Sequence, residues 1–123
     1  MKKIIILILA LVISACSSNV KKDHNVIAAE SYNKGKAAYL AGDYSLAIGL
    51  LIKAASKGNA DAQYAVGYMV YYGEGAEPNT DEAIGWIRKA AESGNSKAYL
   101  ALAMIQKEKK KEKRKKPSSN KQD

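Results

Sequence analysis

Small and apolar residues recur three and four positions apart through the middle of this chain, the period of helices with one face turned inward. Ala47, Leu50, Leu51, Ala54 and Ala55 form one such stripe, and Ala83, Trp86, Ile87, Ala90 and Ala91 form a second. Between the stripes stand stop signals. Gly58 and Gly94 fall where a helix ends in the left-handed conformation, and Asn59 and Asn95 follow as caps for the next helix. Asp43 can cap the helix after Gly42, and Asn79 with Glu82 reads as a capping box after the break at Pro78. The pattern predicts five helices, at about 26–41, 44–57, 60–72, 80–93 and 96–115. The fold class is therefore all-α.

The two stripes are copies. KAASKGN at 53–59 returns as KAAESGN at 89–95, a shift of 36 residues under which Ala47-Ile48-Gly49 also meets Ala83-Ile84-Gly85 and Ala62 meets Ala98. A repeat of this length is one supersecondary unit that buries its apolar face by stacking on its neighbours. Small residues on the inward face let helix axes approach closely, so Ala90 and Gly94 read as positions crowded by neighbouring helices and turns.

Residues 62–95 resemble a Sel1-like repeat: Ala62, Gln63, Gly67, the Gly73-Glu74-Gly75 loop, Ala83, Trp86, Lys89-Ala90-Ala91 and Gly94 stand at that family's positions. Val70 departs from it, standing where the family often has Tyr. The preceding segment is closer to the related tetratricopeptide pattern, through Gly35, Gly42-Asp43-Tyr44, Ala47 and Ala54. Gly35 to Ala47 is 12 residues and Gly67 to Ala83 is 16, a difference that the resemblance assigns to a longer inter-helix loop. It implies stacked α/α hairpins in a right-handed superhelix of about two and a half repeats, the third unit supplying only its first helix. It also implies a protein or peptide partner. In such hairpins the first helix lines the concave surface, which would present Tyr32, Lys36, Tyr39, Asp61, Tyr64, Tyr68, Tyr71 and Tyr72. Tyrosine suits an interface because it offers large area and a polar tip at low entropic cost. Alternatively these side chains pack between helices. Trp86, at the family's packing position, reads as core. So short an array is marginal, and pairing with a partner or with another copy would support it.

The chain's start changes the cellular picture. Lys2 and Lys3 precede an unbroken apolar run from Ile4 to Ile13, too short for a bilayer-spanning helix but right for an export signal. Ile13-Ser14-Ala15-Cys16 resembles the bacterial lipobox, which implies cleavage before Cys16 and acylation of its sulfur; the commonest lipobox residue at the Ile13 position is Leu. The resulting organisation is a signal peptide at 1–15, a lipidated Cys16 and tether at 16–25, a helical repeat domain at 26–106 and a basic tail at 107–123. The expected location is the bacterial cell envelope, on the periplasmic side of the outer membrane in a Gram-negative cell, since Ser17 resembles the residue that permits transfer there.

Charge is concentrated rather than spread. The formal net charge is +8, yet Ser17 to Gln106 holds nine basic and nine acidic residues, and residues 107–116, KEKKKEKRKK, hold eight basic and two acidic. Densely charged and without interleaved aromatics, that run argues against nucleic-acid recognition. It reads either as a solvated helix end or as a contact for anionic lipid or polysaccharide, the latter making the protein a structural envelope factor. Candidate chemistry is sparse. His24 is the only histidine and falls in the tether, and the one cysteine is assigned to lipid, which leaves no thiol nucleophile or Cys/His metal set. Glu74, Glu77, Asp81 and Glu82 gather at a loop and a helix start, where carboxylates favour the helix dipole. The expectation is a non-enzymatic protein with no cofactor and no metal.

Overall fold

A computed structural model describes residues 23–115, and within them the chain is a row of antiparallel helices. The export signal, Cys16, most of the tether and residues 116–123 lie outside the described residues. Helix α1 covers 23–40, α2 Tyr44–Ser56, α3 Ala60–Tyr72, α4 Thr80–Glu92 and α5 Ser96–Lys115. The tether expected to run through Asn25 ends sooner. Asp23, His24 and Asn25 already belong to α1.

Each later helix begins on a side-chain cap. Asp43 Oδ1 accepts the Leu46 N–H at 3.0 Å, Asn59 Oδ1 that of Ala62 at 2.8 Å, Asn79 Oδ1 that of Glu82 at 3.1 Å and Asn95 Oδ1 that of Ala98 at 3.0 Å. Such a bond satisfies one of the four amides a helix start leaves unpaired, worth about 1 kcal/mol. The capping box expected at Asn79 is only half made, because its backbone N–H donates to Val70 O at 3.2 Å and is not free for Glu82. Gly94 is also a glycine for a different reason than crowding. A Cβ there would meet nothing within 4 Å, but its φ of +94° is one that L side chains rarely adopt. Ala90, by contrast, is fully buried.

What holds α1 against α2, and α3 against α4, is one motif used twice. A Cβ built on Gly35 would stand 2.8 Å from Leu51 Cγ, and one built on Gly67 would stand 2.6 Å from Ile87 Cγ1 and 3.1 Å from Ala83 O. Leu51 and Ile87 are equivalent under the 36-residue shift, and both are buried. In each hairpin a branched side chain of the second helix therefore rests on bare backbone of the first. Around these two contacts lies the core: Ala47, Ile48, Ala54, Ala62, Val66, Met69, Val70 and Ala83 on one side, and Ala90, Ala91 and Ala98 on the other. Trp86 packs at the edge of the first group, with Lys89 Nζ 4.9 Å from its ring centre.

Carried one unit further, the 36-residue shift puts Ala103 in the place of Gly67 and Gln106 in the place of Val70, and both are exposed. The side of α5 equivalent to the α4-facing side of α3 is thus uncovered, and Gln106 stands there in place of an apolar valine. α5 runs past the start of α4, with Lys109 Nζ 3.0 Å from Asp81 Oδ1, and the basic run continues as exposed helix through Lys115.

Gly67→Ala is expected to force α3 and α4 apart and cost about 1–3 kcal/mol, as overpacking does. Gly85→Ala, a helical position with open space around it, is expected to gain about 0.5–1 kcal/mol through helix propensity. Urea unfolding of the two variants checks both signs; equal midpoints would contradict the contact.

Candidate functional site

Because each second helix covers one side of its hairpin, the first helices α1, α3 and α5 are left to form a common face. Two adjoining grooves cross it. The first, about 250 Å³, is lined by Tyr32, Lys36, Tyr39, Asp61, Tyr64 and Tyr68, with Leu51, Ala65 and Met69 at its base and Asn95 and Lys97 at the start of α5. The second, about 230 Å³, shares Tyr64 and Tyr68 and adds Tyr71, Tyr72, Ile87, Ala101, Met104, Ile105 and Glu108. The eight residues expected on the concave face thus all border one groove or the other. They do not play the same part. Tyr32, Tyr39 and Tyr71 are half-buried against the core and form the walls, whereas Tyr68 and Tyr72 are 41% and 60% exposed.

The residues expected on this face do not include those of α5. Yet the shift that relates Asn59 to Asn95 relates Tyr64 to Leu100 and Tyr68 to Met104, and both α5 residues are 69% exposed. The signal was therefore present in the sequence. It is masked by the change from tyrosine to aliphatic side chains.

The tyrosines are held as a group. Tyr68 and Tyr72 pack with ring centres 4.6 Å apart, Tyr71 meets Tyr72 edge-on at 5.0 Å, and Tyr39 meets Tyr44 at 5.2 Å. Edge-on and tilted pairs suit the ring quadrupoles, so these contacts add to plain burial. At the loop end of the face the Glu74 carboxylate beside Tyr39, together with burial, pushes the tyrosine's pKa up to about 12. Burial also raises Tyr68, assisted by the neighbouring Tyr72 and Glu74, and raises Tyr32, assisted by Asp61. Glu74 thus serves the wall of the groove from the Gly73-Glu74-Gly75 loop; its Oε2 is buried and makes no hydrogen bond among the described residues. At the other end buried Asn95 does two jobs, capping α5 through Oδ1 and donating from Nδ2 to Asp61 Oδ1 at 2.7 Å, which joins α5 to the first turn of α3.

Among the described residues no group of three or more His, Cys, Asp or Glu could hold a metal ion, and no helix is long and apolar enough to cross a membrane. The face offers stacked rings, a few charges and a shape.

The Sel1 repeat model matches residues 27–59 and 60–95, more than half of the chain. Both joins fall at helix starts capped by asparagine, since α3 begins at Ala60 and α5 at Ser96. The first unit, expected to lie nearer the tetratricopeptide pattern, is matched by the same model as the second. The Gly35 and Gly67 contacts, which repeat across the two units, are the physical counterpart of that agreement. No solved structure matches the chain.

An unfolded tyrosine loses its proton near pH 10, whereas folded Tyr39 holds its own to about 12. The folded chain binds more protons in that interval, so the contribution of Tyr39 is intact below about pH 10 and is lost as pH rises toward 12. Tyr39→Phe is expected to flatten the fall in melting temperature over that window. An unchanged slope would show that the Glu74 contact does not persist in solution.

Proposed function

Because the chain belongs to the Sel1 repeat family, we propose that it is a non-catalytic scaffold whose concave face docks a segment of a protein partner. One observation carries this reading: two adjoining grooves share the walls Tyr64 and Tyr68 and gather tyrosines from separate repeats onto one exposed face. Tyrosine buries large area at small entropic cost and keeps a hydroxyl for the partner's backbone. The exposure of Tyr68 and Tyr72 supports binding over packing, since side chains needed only for the core would be covered.

The cellular setting in this proposal is the bacterial envelope, with Cys16 acylated after signal cleavage and the repeats carried close to the membrane. A short apolar run ending in a lone cysteine supports it. A second reading, a structural factor that grips an anionic surface through its basic end, is favoured by the exposed lysines of α5 from 107 to 115.

Replacing Tyr68 and Tyr72 together by Ala is expected to leave helical circular dichroism intact and to abolish partner capture, as loss of interface hot spots worth about 2 kcal/mol or more each would do. Unfolding of the double variant would instead make these side chains core. Cys16→Ser is expected to abolish acyl labelling and release the chain from membranes. A variant still on the membrane but removed by high salt would transfer the anchoring role to the basic helix end.

A further inference from the structure

Aligning the three first helices on their shared landmarks places their exposed side chains in rows. Gly35 corresponds to Gly67 through the matching contacts with Leu51 and Ile87, and Asn59 corresponds to Asn95 through the matching caps. One row is then Tyr32, Tyr64 and Leu100, and the next is Lys36, Tyr68 and Met104. Leu100 and Met104 stand where α3 carries Tyr64 and Tyr68. The side of α5 equivalent to that on which α3 meets α4 is the one carrying exposed Ala103 and Gln106, whereas Met104 lines the second groove beside Tyr68. The binding face therefore continues across α5.

The two grooves differ in charge. Lys36 and Lys97 both border the first, and among the described residues neither forms an ion pair; the acid there, Asp61, already accepts the Asn95 amide. The second is walled by Tyr68, Tyr71, Tyr72, Ile87, Met104 and Ile105, with Glu108 as its only charge. At about 250 and 230 Å³ each is smaller than the roughly 300–1,000 Å³ of sites that enclose a small-molecule ligand. Each suits one or two side chains of a chain lying across the helices. Packed helix axes are about 10 Å apart, a distance that an extended segment covers in roughly three residues.

We infer that this face recognises an extended peptide segment carrying an acidic residue, seated between Lys36 and Lys97, and a large apolar residue about three positions away, seated against Met104 and the tyrosines. The inference rests on the scaffold reading above and adds the partner's chemistry and placement: the acidic position lies over the first groove, between α1 and the start of α5, and the apolar position over the second, between α3 and the later turns of α5.

The test is a positional-scanning library of acetylated, amidated hexapeptides, bound to the full-length chain in mild detergent and to three variants whose helicity is verified. The wild-type chain is expected to select Asp or Glu at one position and Leu, Met or an aromatic two to four positions along. Lys36→Glu with Lys97→Glu should weaken acidic peptides by at least about tenfold and turn the first preference to Lys or Arg. Met104→Asp should erase the second preference and leave the first. Selected peptides that are indifferent to the charge reversal, or that prefer a basic residue in the wild-type chain, would overturn the inference while leaving a peptide-binding scaffold. No selection beyond that of the Tyr68→Ala, Tyr72→Ala variant would overturn both.

Discussion

The seating of Leu51 on Gly35 and of Ile87 on Gly67 sets the geometry on which the rest depends. A helix surface normally keeps its neighbour at a distance fixed by the side chains between them. Where one side contributes only backbone, the axes close up and a Leu or Ile can fill the whole contact. The apolar material available is slight, since most buried hydrophobic residues are alanines. Close approach is how so small a set of side chains excludes water. Repetition makes the arrangement cumulative, because each hairpin is itself a surface on which the next is laid.

This constraint also explains why large side chains left partly uncovered collect on one face. The second helices turn their small residues inward, and the first helices give one side to the glycine contact and another to the neighbouring unit. What remains is the side bearing Tyr32, Tyr64 and Tyr68 and, on α5, Leu100 and Met104. Large rings there have no helix to meet. They lean on each other, and Glu74 and Asn95 hold the two ends, the first on Tyr39 and the second on Asp61. The longer loop of the second unit thus contributes to the groove wall as well as to connectivity.

Much of this was legible in the sequence because its signals are local. A Gly-Asn pair fixes where a helix stops and the next starts, and the structure departs from the five expected ranges by only a residue or a few at any end. The eight residues assigned to the concave face follow from the same register. Other features escaped because they depend on partners distant in the chain. Nothing near Asn79 tells that its N–H will find Val70 O, which leaves the capping box half made. Gly94 is required by its backbone angle, and the tight spots belong to Gly35 and Gly67. Composition made Asp23 to Asn25 resemble linker, although a polar segment continues a helix readily once the following turns are packed. The α5 part of the face was hidden because residue type changed while position did not.

The exposed pair Ala103 and Gln106 carries a consequence for how such a chain can change over generations. A helix laid on α5 as α4 is laid on α3 would find a methyl group where its branched side chain needs bare backbone, and an amide where α3 offers a valine. Lengthening at that end therefore demands several simultaneous substitutions. A duplication of residues 60–95 would instead bring with it its own glycine contact between Gly67 and Ile87 and its own Asn95 cap. Related arrays of different length should accordingly differ by whole units that carry both the glycine and the branched side chain seated on it.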